Sequence, residues 1–151
     1  MVMLVRKIQA EKGWENPRFI IVTDRVNLDK QIRDNFANSQ MAPVRAATGK
    51  GLNALLKNKE NIVITTLINK FETVYRNKYL EPDSDKFYVL VDEAHRSQYK
   101  AMFNYMKEVL PNATLIAFTG TPLIAKAKKN TYKTFGEPIH NYTMKQAIAD
   151  G

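Results

Sequence analysis

The chain has 151 residues, 44% hydrophobic and 25% charged, and its 23 Lys+Arg against 15 Asp+Glu give a formal charge of +8. That length and balance fit one soluble globular domain with a real buried core, and a positive field of this size favours polyanions such as nucleic acid or nucleotide phosphates. The absence of cysteine excludes a disulfide scaffold, a thiolate metal site and a cysteine nucleophile. No stretch reads as a secretory signal or a membrane span, so a cytoplasmic protein with no membrane partner is expected.

Met1, Leu4, Val5 and Ile8 fall on one helical face with no capping residue before them, the pattern of a segment cut from a longer chain. Phe19 to Thr23 is a short β-branched run entered through Asn16-Pro17. Leu28, Ile32 and Phe36 then recur every fourth residue and predict a helix. Met41 to Ala46 has room for a short strand, and Leu52, Leu55 and Leu56 mark a small helix after Gly49 and Gly51. Ile62 to Thr65 is the next strand, followed by a helix near Ile68 to Tyr75. Glu81 to Lys86, with Pro82, is a polar turn. Phe87 to Val91 is the third clear strand. Tyr99, Met102, Phe103, Met106, Val109 and Leu110 form a helical stripe that ends at Pro111-Asn112, and Thr114 to Phe118 is the fourth strand.

These strands are nearly continuous in apolar residues rather than alternating. Strands buried on both faces have that composition, which predicts an α/β fold with a parallel sheet flanked by helices. Ligands of such sheets sit beyond the carboxyl ends of the strands. The strand ends read Thr23-Asp24-Arg25, Thr65-Thr66, Asp92-Glu93-Ala94-His95 and Thr119-Gly120-Thr121-Pro122.

The third end is the most informative. An apolar strand closing on Asp92-Glu93 sets two carboxylates of different reach at one sheet edge. Asp92 can hold Mg²⁺ directly or through water, and Glu93 can orient and deprotonate an attacking water. The plain alternative is that both acids cap the following helix. Thr119, Gly120 and Thr121 add small hydroxyls within reach of Glu93 or His95, where they can sense phosphate. Alternatively, they form an ordinary tight turn.

Val89 to Tyr99, with Ala117 to Leu123 downstream, resembles motifs II and III of superfamily 2 helicases, in the form found in the motor (R, or HsdR) subunit of type I restriction-modification enzymes. Phe19 to Ile32 is similar to that family's motif Ia region. Ile62 to Phe71 resembles its next strand and helix. Thr134 to Gly151 resembles the stretch leaving the first motor domain. The DEAH and TGTP motifs are shared by many helicases; His95-Arg96-Ser97-Gln98-Tyr99 and Ala147 to Gly151 point to the restriction subunit.

The resemblance implies a three-layer RecA-like (P-loop NTPase) fold, with residues 1–151 as part of the first motor domain. It implies ATP and Mg²⁺ as cofactors, double-stranded DNA as the track, and methylation (M) and specificity (S) subunits as partners. By position, Asp92 corresponds to the Mg²⁺-coordinating residue and Glu93 to the base. His95, Thr119, Gly120 and Thr121 correspond to the coupling between hydrolysis and movement. Thr23, Asp24, Arg25, Gly49, Thr65 and Thr66 are similar to DNA-strand contacts, with strand-end capping as their alternative.

Three parts that the resemblance implies are not found in the sequence: the phosphate-binding loop, the second motor lobe with its arginine finger, and a nuclease carboxylate-and-lysine signature. A phosphate-binding loop needs Gly-x₄-Gly-Lys-Ser/Thr so that backbone amides cradle the phosphates. The nearest candidate, Gly49-Lys50-Gly51, fails because residue 51 is not Ser or Thr and residue 44 is Val. The resemblance implies that the loop and its strand precede Met1. The chain alone is then expected to bind nucleotide weakly and to leave ATP unhydrolysed, and its unpaired apolar sheet edge is expected to bring poor solubility, self-association or a replacement strand. Three rival readings stand beside this one: another superfamily 2 DNA or RNA helicase; a basic nucleic-acid-binding module without catalysis, supported by the +8 charge and by Lys126-Ala127-Lys128-Lys129; and, last, a nucleotide hydrolase unconnected with DNA.

Overall fold

In the computed structural model, which describes residues 1–11, 16–60, 62–92, 100–119, 135–140, 142 and 144–150, Phe19, Ile20, Ile21 and Val22 are completely buried. They belong to β1 (Arg18–Thr23), the middle strand of a sheet covered on both sides. An unbroken apolar run is what that position requires. The other strands are β2 (Val44–Ala46), β3 (Val63–Leu67), β4 (Phe87–Asp92) and β5 (Thr114–Phe118). Their order is β2-β3-β1-β4-β5, and every pairing is parallel.

Side-chain alternation sorts the core into two layers. Phe19, Ile21, Val63 and Leu90 face α1 (Val2–Ala10) and α2 (Val26–Asn38), packing with Val5, Ile8, Ile32 and Phe36. Ile20, Val22, Ile64, Val89 and Val91 face the opposite layer. That layer is α3 (Gly49–Lys57), α4 (Lys70–Arg76) and α5 (Lys100–Val109), which contribute Leu52, Leu56, Phe71, Val74 and Met106. Each such side chain, fully buried, contributes about 1.5–3 kcal/mol. Tyr75 of α4 stacks on Tyr105 of α5 with ring centroids 4.8 Å apart. A further helix among the described residues, α6 (Met144–Asp150), carries exposed side chains from 145 to 149. Two helical layers around a five-stranded parallel sheet form the RecA-like α/β fold that the sequence resemblance implies.

Among the described strands, β2 and β5 are the edges. β2 is short and presents exposed Val44 and Arg45, which discourages pairing with another chain. β5 is apolar and only half-buried from Leu115 to Phe118.

The amino end of the sheet is fastened by Arg18. Its guanidinium donates to the carbonyls of Leu56 at 2.9 Å, Leu55 at 2.9 Å and Asn58 at 2.8 Å, so a strand residue satisfies the last carbonyls of α3. The same group lies 4.3 Å from the centroid of the Phe87 ring. Nearby, the Tyr79 hydroxyl donates to Glu81, whose backbone N–H donates to the carbonyl of Val109 at 2.9 Å. These contacts lie at the opposite end of the strands from the residues singled out for chemistry.

The candidate site at the carboxyl edge of the sheet

Asp92 is the last residue of β4, half-buried, and its Cα partner is Phe118, the last residue of β5. Thr119, exposed, therefore follows directly beside the acid on the neighbouring strand. On the other flank, Val22 pairs with Val91, so one step further along the two strands come Thr23 and Asp92. β1 also pairs with β3 through Val22–Thr66 and Thr23–Leu67, and β2 joins through Ala46–Thr66. The fold thus gathers Thr23, Thr65, Thr66, Asp92 and Thr119 at one edge, although they lie far apart in sequence. Parallel strands force this: every strand ends on the same side.

Burial divides the predicted contacts. Thr23, Thr65 and Thr66 are buried. Thr66 Oγ1 donates to the carbonyls of Leu67 at 3.3 Å and Ala46 at 3.4 Å, while Thr23 Oγ1 and Thr65 Oγ1 have no hydrogen-bond partner among the described residues. The carbonyl of Thr23 accepts from the Ile68 N–H at 2.9 Å, locking the turn after β3 onto the end of β1. Asp24 has a nearly buried side chain and sits 3.4 Å from Arg25 Nε, whereas the Arg25 side chain is mostly exposed. Arg25 is therefore the one of these three neighbours whose side chain, though paired with Asp24, is exposed enough to meet a polyanion.

Gly49 is buried at the start of α3, facing Thr73 of α4. Its lack of a side chain is explained by that close approach. Thr48 caps the same helix, its Oγ1 accepting from Gly51 N–H at 3.0 Å, which suits its N-cap position. Glu93, His95, Gly120 and Thr121 lie outside the described residues, as do Lys126 to Lys129.

Among the described residues no three acidic or histidine side chains gather as a metal cluster. Asp92 still fits the donor chemistry of Mg²⁺, which keeps several waters and takes only one or two carboxylates at nucleotide sites. Sequence reasoning missed Asp29, which is buried in the first turn of α2 and bonded to two arginines. The signal was present: an acid at the register of Ile32 and Phe36 on the apolar face of that helix. No helix among the described residues is long and apolar enough to cross a membrane.

The whole chain, residues 1–151, matches the family model described as SWI2/SNF2 ATPase. It is similar to the putative type I restriction enzyme MjaIXP endonuclease subunit of Methanocaldococcus jannaschii, 29% identical over 153 residues that cover 100% of this chain and 15% of that subunit. It is also similar to the type I restriction enzyme HindI endonuclease subunit of Haemophilus influenzae, 32% identical over 171 residues, covering 100% of this chain and 16% of the subunit. A third relative is the SsaAORF53P endonuclease subunit of Staphylococcus saprophyticus, 31% identical over 142 residues, with 89% of this chain and 15% of the relative covered. The chain thus spans about a sixth of the length of the curated relatives it matches.

Proposed function

Because the chain belongs to the SWI2/SNF2 ATPase family, we propose that it is part of the ATP-driven DNA-translocating motor of a type I restriction endonuclease subunit, working in the cytoplasm with methylation and specificity subunits on double-stranded DNA. The observation that carries the proposal is the juxtaposition of Asp92 with the end of β5 at the carboxyl edge of the parallel sheet. In this reading Asp92 holds Mg²⁺ and Glu93 takes the proton of the attacking water. Bound Mg-ATP supplies the scissile phosphate, with the metal spreading the charge of the transferring group. His95, Thr119, Gly120 and Thr121 link phosphate release to movement. Arg25 meets the DNA backbone, while the buried Thr23, Thr65 and Thr66 shape the edge beneath it.

The 151 residues contain no Gly-x₄-Gly-Lys-Ser/Thr, so the chain by itself does not turn over ATP in this account. The apolar edge at β5 is then a place for self-association, and sedimentation should find oligomers at micromolar concentration; a monodisperse monomer would count against that. The motor reading is tested in the complete subunit by Asp92→Asn. DNA-stimulated ATP hydrolysis should fall by roughly 10²-fold or more, the scale for loss of a group that stabilises transition-state charge. Unchanged hydrolysis at limiting Mg²⁺ would remove Asp92 from the site.

A second reading, nucleic-acid binding without chemistry, draws on the +8 charge. It predicts duplex binding by the chain that is steeply salt-dependent and indifferent to Asp92→Asn and Glu93→Gln.

A further inference from the structure

The Asp29 carboxylate is 1% exposed, and its Oδ2 alone accepts from two guanidinium groups, Arg45 Nε at 3.0 Å and Arg33 Nε at 3.3 Å. Arg33 follows one turn later on α2, whereas Arg45 comes from β2, so the contact ties a helix to the edge strand. Each arginine spends only its Nε on the acid. Neither Nη pair has an acceptor among the described residues, and the two side chains are 28% and 38% exposed.

Two long cations do not lie side by side unaided. Like charges repel, and each side chain carries about 2 kcal/mol of rotamer entropy. A buried carboxylate that both must satisfy removes the repulsion and holds both forks in place. The cluster keeps one net positive charge, the complement of a single phosphodiester. Such a group has two unesterified oxygens, one for each free guanidinium edge, and arginine forks match phosphate oxygens bidentately.

The location fits a backbone track. Arg45 pairs in register with Thr65, one step before Ala46–Thr66. The Asp29 N–H donates to the carbonyl of exposed Arg25 at 3.0 Å. The pair therefore flanks the carboxyl edge on its β2 side, away from Asp92.

We propose that Arg33 and Arg45, held by Asp29, form a phosphate-binding site on the α2–β2 flank that takes one phosphodiester of the nucleic-acid backbone. This rests on the nucleic-acid part of the proposed function and adds to it a specific contact off the strand ends. Asp29 acts as a positioning residue and does not touch the ligand.

The test is fluorescence anisotropy of a labelled duplex of about 20 base pairs against the 151-residue chain at increasing NaCl. Arg33→Gln and Arg45→Gln should each weaken low-salt binding about three- to tenfold and lower the slope of log K against log salt by about one. Lys107→Gln on α5, across the sheet, should leave both unchanged. Wild-type binding with wild-type slopes in both arginine variants overturns the site while leaving the motor reading intact. No duplex binding by the wild-type chain instead counts against the nucleic-acid reading and overturns the site with it.

A second measurement needs no substitution and so survives any folding defect. On titration with duplex, the NMR Nε–Hε resonances of Arg33 and Arg45 in the wild-type chain should shift. Static resonances at saturation overturn the proposal. Shifts with inorganic phosphate or ATP but not with duplex also overturn it, since they assign the site to a free phosphate.

Discussion

A Cβ placed on Gly49 would lie 2.2 Å from the Cβ of Thr73 and 2.6 Å from its Oγ1. That is far inside van der Waals contact, and the atom met first is fixed to the α4 backbone rather than at the end of a flexible side chain. Gly49→Ala should therefore push α3 away from α4 and cost about 1–3 kcal/mol, the usual range for overpacking a well-filled contact. Urea unfolding of the purified chain measures it. Thr73→Ala should not rescue the variant, because alanine keeps the offending Cβ. Thr73→Gly should rescue it in part, offset by about 1 kcal/mol for a glycine inside a helix.

Arg18 makes a second packing prediction. Burial pushes its guanidinium below the usual arginine range, opposed by the nearby Glu81, Tyr79 and Asp83, yet a guanidinium remains charged at any physiological pH. Arg18→Lys keeps the charge but cannot reach the carbonyls of Leu55, Leu56 and Asn58 together. It should destabilise the chain by about 1–3 kcal/mol through carbonyls left without partners, with a lower denaturation midpoint and an unchanged m-value. Tyr79→Phe acts on the same corner by removing the hydroxyl that Glu81 accepts. Burial first, and that hydrogen bond second, hold the Tyr79 hydroxyl well above the ordinary tyrosine range, so it remains a donor throughout the neutral and mildly alkaline range.

Lys59 and Asp83 form an ion pair at 2.8 Å, and it gives a pH prediction with a definite sign. The hydrogen bond to Lys59, then its charge, holds the Asp83 carboxyl below its ordinary value; the same contact holds Lys59 above its own. The Asp83 contribution is present above the unfolded carboxylate range and is lost as pH falls through the depressed value. The Lys59 contribution is present below the unfolded lysine range and is lost as pH rises through the raised value. The pair therefore stabilises only between those limits, and modestly, because water and salt screen it. The difference in urea midpoint between wild type and Lys59→Met should be present near neutrality, shrink in 1 M NaCl, and diminish as pH falls below the ordinary carboxylate range.

Much of the architecture was legible because burial on both faces leaves a simple mark. Phe19 to Thr23, Phe87 to Val91 and Thr114 to Phe118 read as unbroken apolar runs, and the strands found there are Arg18–Thr23, Phe87–Asp92 and Thr114–Phe118. Arg18 was not legible as a strand residue, because a charged side chain at the head of an apolar run looks like its boundary. Here three carbonyls and an aromatic ring replace the water it loses. The small helix was placed after Gly49 and Gly51, yet both belong to α3, where close packing against Thr73 suits a glycine at the first of them despite its poor helix propensity. At the candidate site, Asp92 was legible from its place after an apolar strand. Asp29 was legible only in part: its register with Ile32 and Phe36 marks it as buried on the apolar face of α2, but its partner Arg45, sixteen residues away, is set by no local pattern. Glu93, His95, Gly120 and Thr121 were named from sequence and fall outside the described residues.

The most direct test of the central claim is DNA translocation by the complete subunit carrying Glu93→Gln, followed by displacement of a triplex-forming strand, with nucleotide binding measured on the same protein. The side chain keeps its size and loses the ability to take a proton, so the account predicts ATP bound at close to wild-type affinity and translocation abolished. Normal movement along DNA by that variant would contradict it.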